Sequence, residues 1–212
     1  MAEAIISNRN TGVIVIDVQA DFTELKSGAL AVPGTDADYI DDVQTTTRRF
    51  QNKGLRIYLT LDWHPVDHIS FYTSNPGTEP FQEIEIEKGR TQVMWPPHCV
   101  QNTPGAEILI DIEGPAETVQ TGANPKFDSY SSFVDDGGNQ TGLDRLLRRD
   151  GIKKLIIYGL ATDYCVKHTV LDGAGLGYQV ELLVDLCRGI SPETTASALE
   201  EMEGRGGAII SD

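Results

Sequence analysis

The chain has 212 residues, of which 40% are hydrophobic and 23% charged, and its formal net charge is −15. That length suits one α/β domain, and so acidic a surface repels phosphate backbones, which argues against nucleic acid as a partner. No apolar run approaches the ~20 residues that cross a bilayer, the N-terminal MAEAIISNRN lacks the charged and apolar regions of a leader, and three widely spaced cysteines, Cys99, Cys165 and Cys187, fit a reducing, cytoplasmic setting without disulfides.

In chain order, Gly12 to Asp17 reads as a buried strand, followed by a turn-rich stretch through Gly28, Pro33 and Gly34. Asp36 to Lys53 has helical spacing, with Ile40, Val43 and Phe50 on the apolar side and Gly54 as the stop. Leu55 to Leu61 is the next strand, and a long irregular segment rich in Pro and Gly runs from Asp62 to about Glu117. Loops of that length inside compact domains are usually functional. Glu117 to Thr121 reads as a short strand, Thr141 to Asp150 as a helix, Ile152 to Tyr158 as a strand and Asp163 to Gly175 as a helix. Gln179 to Val184 is a strand, Ser191 and Pro192 open the last helix as N-cap and first helical residue, and Gly207 to Ile210 closes the chain as a strand. Continuous apolar strands alternating with helices predict a single α/β domain over 1–212, a three-layer αβα arrangement with a central, mostly parallel sheet. Ligands of such sheets bind beyond the carboxyl ends of the strands, where Asp17, Asp62, Thr121, Cys165 and Asp185 are expected to fall.

Three groups of residues carry candidate chemistry. Cys165 falls in the first turn of a helix just past a strand, where unpaired N–H groups and the helix dipole favour thiolate and can also face an oxyanion; the alternative is a buried structural cysteine. Asp17, or Asp21 four residues on, is the candidate base for it, and a carboxylate screened from water has the raised pKa that suits a base near neutrality. Asp62 and His64, two apart on an extended segment, point the same way, and with His98 of the stiff Trp95-Pro96-Pro97-His98 stretch they offer an Asp and two His to Zn²⁺, Fe²⁺ or Mn²⁺. The same residues can instead be hydrogen-bonded without an ion. His68 is either a fourth ligand or a loop anchor, and the loop role is favoured. Gly173-Ala174-Gly175-Leu176-Gly177 ends a helix instead of following a strand, so it reads as helix termination and not as a nucleotide loop. Cys99 reads as a small buried residue.

Together, Ile16-Asp17-Val18-Gln19-Ala20-Asp21-Phe22, Asp62-Trp63-His64-Pro65-Val66-Asp67-His68, Trp95-Pro96-Pro97-His98-Cys99, Asp128-Ser129-Tyr130-Ser131 and Gly159-Leu160-Ala161-Thr162-Asp163-Tyr164-Cys165 resemble the nicotinamidases, also called pyrazinamidases, among the isochorismatase-like cysteine hydrolases. The resemblance implies that nicotinamide is hydrolysed to nicotinate and ammonia through a thioester, with Cys165 as nucleophile and Asp17 as its base. It implies one divalent metal ion at Asp62, His64 and His98, with zinc placed ahead of iron or manganese. Phe22, Trp95 and Tyr130 match the aromatic walls of the ring site. A cis peptide at Leu160–Ala161 would aim the N–H groups of Ala161 and Cys165 at the oxyanion. One departure stands out: the family's catalytic lysine position is Thr121 here, and Lys126, five residues on, is the candidate substitute. A catalytically impaired relative that only binds nicotinamide-like rings, or an amidase for another small amide, are the competing readings. A homo-oligomer is left open.

Overall fold

The computed structural model describes residues 10–211; the stretch before residue 10, read above for its lack of a leader, lies outside them. Six parallel strands form one sheet: β1 (Thr11–Ile16), β2 (Arg56–Asp62), β5 (Ala116–Thr121), β6 (Lys154–Leu160), β7 (Gln179–Arg188) and β8 (Gly207–Ile210), in the order β5-β2-β1-β6-β7-β8. Every residue of β1 is buried, as a strand covered on both faces requires. Helix α1 (Ala37–Asn52) is capped by the Asp36 side chain, which accepts the Tyr39 N–H at 3.0 Å. It packs on β1 and β2 through Val43, Thr47 and Phe50, and Thr47 hydrogen-bonds Tyr158 of β6 at 2.8 Å. Helix α3 (Lys167–Gly175) covers the opposite face of the sheet, where Gly173 meets Leu155 and Val180. Helix α2 (Leu143–Arg149) precedes β6, and α4 (Pro192–Gly204), capped by Ser191, packs on α3 and β8. Three layers result, as the sequence predicts.

The chain runs outward from β1 through β2 to β5, then returns to lay β6 on the other side of β1. That reversal places the carboxyl ends of β1 and β6 at a switch point, where the flanking connections diverge and leave a crevice. Asp17 follows β1 and Cys165 follows β6.

The structure departs from the sequence-based expectations in three places. The long segment after Asp62 contains an antiparallel hairpin, β3 (Glu83–Glu87) and β4 (Arg90–Val93); the alternation Glu-Ile-Glu-Ile-Glu ahead of Lys88-Gly89 is its signal. Cys165 does not lie in a first α-helical turn. Thr162–Val166 form a wider π-type turn, in which the Val166 N–H reaches back to the Ala161 carbonyl at 3.2 Å, and α3 begins only at Lys167. Finally, β7 continues to Arg188, so Asp185 is an exposed mid-strand residue and not one of the site's strand ends. Among the described residues, no helix is long and apolar enough to cross a membrane.

Candidate active site

Beyond the strand ends lies a cavity of about 40 Å³ whose lining includes Phe22, Trp95, Tyr130, Asp62, His64, His98, Ala161 and Cys165. A larger and more open groove of about 610 Å³ runs along the edge strand β5. It holds no thiol and neither of the two carboxylates near Cys165, so the chemistry belongs to the smaller cavity.

Cys165 and Asp17 interact side chain to side chain, each perturbing the ionisation of the other. Asp17 is 2% exposed and sits in the left-handed region at φ 49°. Burial, and then the nearby charge of Asp62, raise its carboxyl from 3.8 to about 7. Asp21 is not the partner: its Oδ2 accepts the Cys99 N–H at 2.8 Å, a loop anchor. The environment of the thiol works against the thiolate expected from the helix terminus. Burial, followed by the carboxylates of Asp17 and Asp62, pushes the Cys165 thiol well above its ordinary 9.0, and this outweighs the helix-terminal N–H groups. The pair is thus a thiol beside a carboxyl group of near-neutral pKa. Asp163 secures the turn that carries the thiol: its carboxylate accepts the Ile190 N–H at 3.1 Å and the Thr194 hydroxyl at the start of α4. The peptide bond Leu160–Ala161 is cis.

Asp62, His64 and His98 present one ligand atom each, all within 4.8 Å of one another, and all three residues are buried. Nδ1 of His64 lies 3.1 Å from the Gly122 carbonyl and Nδ1 of His98 lies 2.8 Å from the Pro96 carbonyl. A carbonyl can only accept, so both Nδ1 atoms carry the proton. Each Nε2 is turned to Asp62, at 2.9 and 3.3 Å. One carboxylate and two imidazoles, each held from behind by a main-chain carbonyl, is a donor set that fits a divalent cation. Burial pushes Asp62 up, but the charge and hydrogen bonds of His64 and His98 prevail and hold it well below the carboxylate range. Only glycine fits at 122: a Cβ there would stand 2.4 Å from His64 Cε1 and 2.8 Å from Asp62 Oδ1, at φ +62°. His68 hydrogen-bonds its own loop, and its ring also stands with His64 and Asp128 in a second buried group whose ligand atoms lie within 4.8 Å of one another. Its Nδ1 accepts from Ser70, whose hydroxyl is 2.7 Å away, and its Nε2 meets the Phe127 carbonyl at 3.2 Å, so both ring nitrogens are engaged by protein.

The aromatic wall is internally braced. The Trp95 indole N–H donates to the Tyr130 hydroxyl at 2.9 Å, and Tyr164, beside the nucleophile, packs edge-on to Trp95 with centroids 5.2 Å apart. Phe22 stands 5.5 Å from the His98 ring. Thr121 is buried, with its hydroxyl 3.5 Å from the Leu61 carbonyl, and it lines the outer groove, not the cavity. Lys126 is exposed, and its main-chain carbonyl accepts from Arg90 at 3.1 Å. It is absent from the cavity lining, as is every other lysine or arginine among the described residues. The substitute-cation expectation therefore finds no support: Pro125 and the Arg90 contact hold that backbone on the surface.

Four contributors escaped the sequence reading. Gln19 is fully buried; its amide clamps Asp62 from both sides, donating to the Asp62 carbonyl and accepting the Asp62 N–H, each at 2.8 Å. Thr60 hydrogen-bonds Asp17. Gln92, on the unforeseen hairpin, donates to Asp128 at 2.7 Å, and Tyr164 joins the cavity wall. Period-two position on β2 pointed Thr60 toward the same face as Asp62; nothing local marked the other three.

Residues 11–212 match the family model described as Isochorismatase domain. The nicotinamidase of Escherichia coli K12 is 42% identical over 93% of this chain and 92% of its own length. A solved structure of a nicotinamidase/pyrazinamidase from Acinetobacter baumannii superposes with a TM-score of 0.86 at 35% identity, covering 97% of both chains. A pyrazinamidase from Pyrococcus horikoshii, solved in complex with zinc, superposes with a TM-score of 0.81 at 39% identity, covering 96% of this chain and 99% of that one.

Proposed function

Since the chain belongs to the isochorismatase family, and within it to the nicotinamidases, we propose that it is a cysteine amidohydrolase converting nicotinamide, and pyrazinamide-like amides, to the acid and ammonia. The observation that supports this reading is the Cys165 thiol, coupled to the buried Asp17, lining an aromatic-walled cavity beside Asp62, His64 and His98. Phe22, Trp95 and Tyr130 hold a planar ring by its faces and edge. Asp62, His64 and His98 would hold a divalent cation, zinc by analogy with the Pyrococcus relative, which would supply a Lewis acid beside the ring.

The chain's own residues then move one proton back and forth. As sulfur attacks the carboxamide carbon, its proton passes to Asp17, whose midpoint near 7 suits a base at neutral pH. The N–H groups of Ala161 and Cys165 receive the developing oxyanion. Asp17 returns the proton to nitrogen as the C–N bond breaks, and ammonia leaves. Water then attacks the thioester with Asp17 taking its proton, the C–S bond breaks, and the proton returns to sulfur. The sum is amide plus water giving acid plus ammonia. No lysine takes part in this scheme: Asp17 and Cys165 act as a pair. The silent-binder reading gains nothing from Thr121, because that pair is intact without it.

Cys165→Ala is the direct test. Ammonia release from nicotinamide should vanish while the circular dichroism spectrum and bound metal are unchanged; turnover retained in that variant would falsify the covalent scheme.

A further inference from the structure

Thr60 lies on β2, two residues before Asp62, and is 1% exposed. Its hydroxyl oxygen accepts the Asp17 N–H at 3.0 Å, and the same hydroxyl donates to Asp17 Oδ1. A threonine hydroxyl has one proton and two lone pairs. Because the N–H can only donate, the hydroxyl proton has one place to go, and that is the carboxylate. The ring closed by these two bonds fixes both side-chain torsions of Asp17. A β-branched side chain is stiff at χ1, so the hydroxyl cannot easily swing away.

We infer that Thr60 is the positioning residue that makes the Asp17 base one-sided, occupying Oδ1 so that the proton taken from Cys165 stays on the other carboxylate oxygen. This deepens the reading of Asp17 as the base and rests on it. The consequence is directional. A proton placed on Oδ1 would collide with the Thr60 hydroxyl proton, whereas one on the second oxygen would not, and stays available for transfer to the departing ammonia. Without the hydroxyl, the carboxyl can turn, and the ionised form loses a charge-assisted donor. The other groups that face Asp17 are Asp62, His64, Cys165 and Cys99. None of them depends on Thr60 for a hydrogen bond; the Asp62 main chain is held by Gln19.

The test compares Thr60→Val with Thr60→Ser in the metal-loaded protein, with metal content and thermal midpoint as controls. Two profiles are read against pH: kcat/KM for ammonia release from nicotinamide, and the rate of Cys165 alkylation by iodoacetamide. Loss of a hydrogen bond to a charged group corresponds to about one pH unit. Thr60→Val should therefore move the acid limb of both profiles upward by about one unit and lower kcat about fivefold at neutral pH, with KM nearly unchanged. Thr60→Ser should restore the wild-type limb. An unshifted limb in Thr60→Val, or an equal shift in Thr60→Ser, overturns the inference. If valine prevents folding, the same comparison is made with Thr60→Ala. A shifted alkylation profile in a protein that does not hydrolyse nicotinamide would refute the proposed activity and leave the role of Thr60 standing, so the two can fail separately.

Discussion

The raised carboxyl of Asp17 has a thermodynamic signature that does not depend on catalysis. In the metal-free protein, burial and the Asp62 charge hold its midpoint at about 7, against an ordinary 3.8. Between those two values the folded chain keeps a proton that the unfolded chain has released. The unfolded state therefore binds fewer protons, and stability falls as pH rises across the window. The stabilising side is below pH 4 and the contribution is fully lost above pH 7. At about 1.4 kcal/mol per pH unit, the interval from pH 5 to pH 8 takes away about 3 kcal/mol. Asp17→Asn keeps the shape and an acceptor for Thr60 but cannot titrate. Urea unfolding of chelator-treated wild type and Asp17→Asn at half-unit pH steps isolates this one group, because every other titration is common to both. Wild type should lose about 3 kcal/mol relative to the variant from pH 5 to pH 8, roughly 6–12 °C in thermal midpoint for a domain of this size. A metal ion that neutralises Asp62 should reduce the difference. If the two proteins run parallel across the whole range, Asp17 titrates normally and its selection as a near-neutral base is wrong.

Gly122→Ala drives a Cβ into His64 and Asp62; metal affinity, measured by competition with a chromogenic chelator, should fall about 10- to 100-fold, and wild-type affinity would refute the ligand assignment. Tyr130→Phe strips the acceptor from the Trp95 indole N–H and leaves a donor unpaired at a cost of about 1–3 kcal/mol, so KM for nicotinamide should rise several-fold with kcat less affected; an unchanged KM would remove this wall from the ring site. Thr121→Lys adds an ammonium near two buried carboxylates, which favours their ionised forms. The acid limb of kcat/KM should move down by a unit or more, and an unmoved limb would show that the new side chain does not reach Asp17.

The sheet and the placement of the reactive groups were legible because both follow from short-range pattern. Apolar runs such as Val13-Ile14-Val15-Ile16 and Leu155-Ile156-Ile157-Tyr158 admit one reading when flanked by turn residues, and the strand ends then carry Asp17, Asp62 and Cys165 to one edge. What stayed hidden depends on contacts between distant segments. The carboxylates that oppose thiolate formation at Cys165 were not legible because the helix-terminal N–H groups are local, whereas Asp17 and Asp62 arrive from β1 and β2. The roles of Gln19 and Gln92 lie in bonds to Asp62 and Asp128, 43 and 36 residues away in sequence. The hairpin was legible in principle, since Glu83 to Glu87 alternate with period two, but the Pro and Gly around it masked the signal.

Gln19 links two parts of the site that a mechanism would treat apart. Its main-chain N–H closes a tight turn on the Asp17 carbonyl at 2.8 Å, while its side chain grips Asp62 like an additional strand residue. The proton acceptor and the carboxylate of the candidate metal centre thus ride on one short frame. A substitution that re-aims either will displace its counterpart, so selection cannot adjust ion affinity and basicity here one at a time.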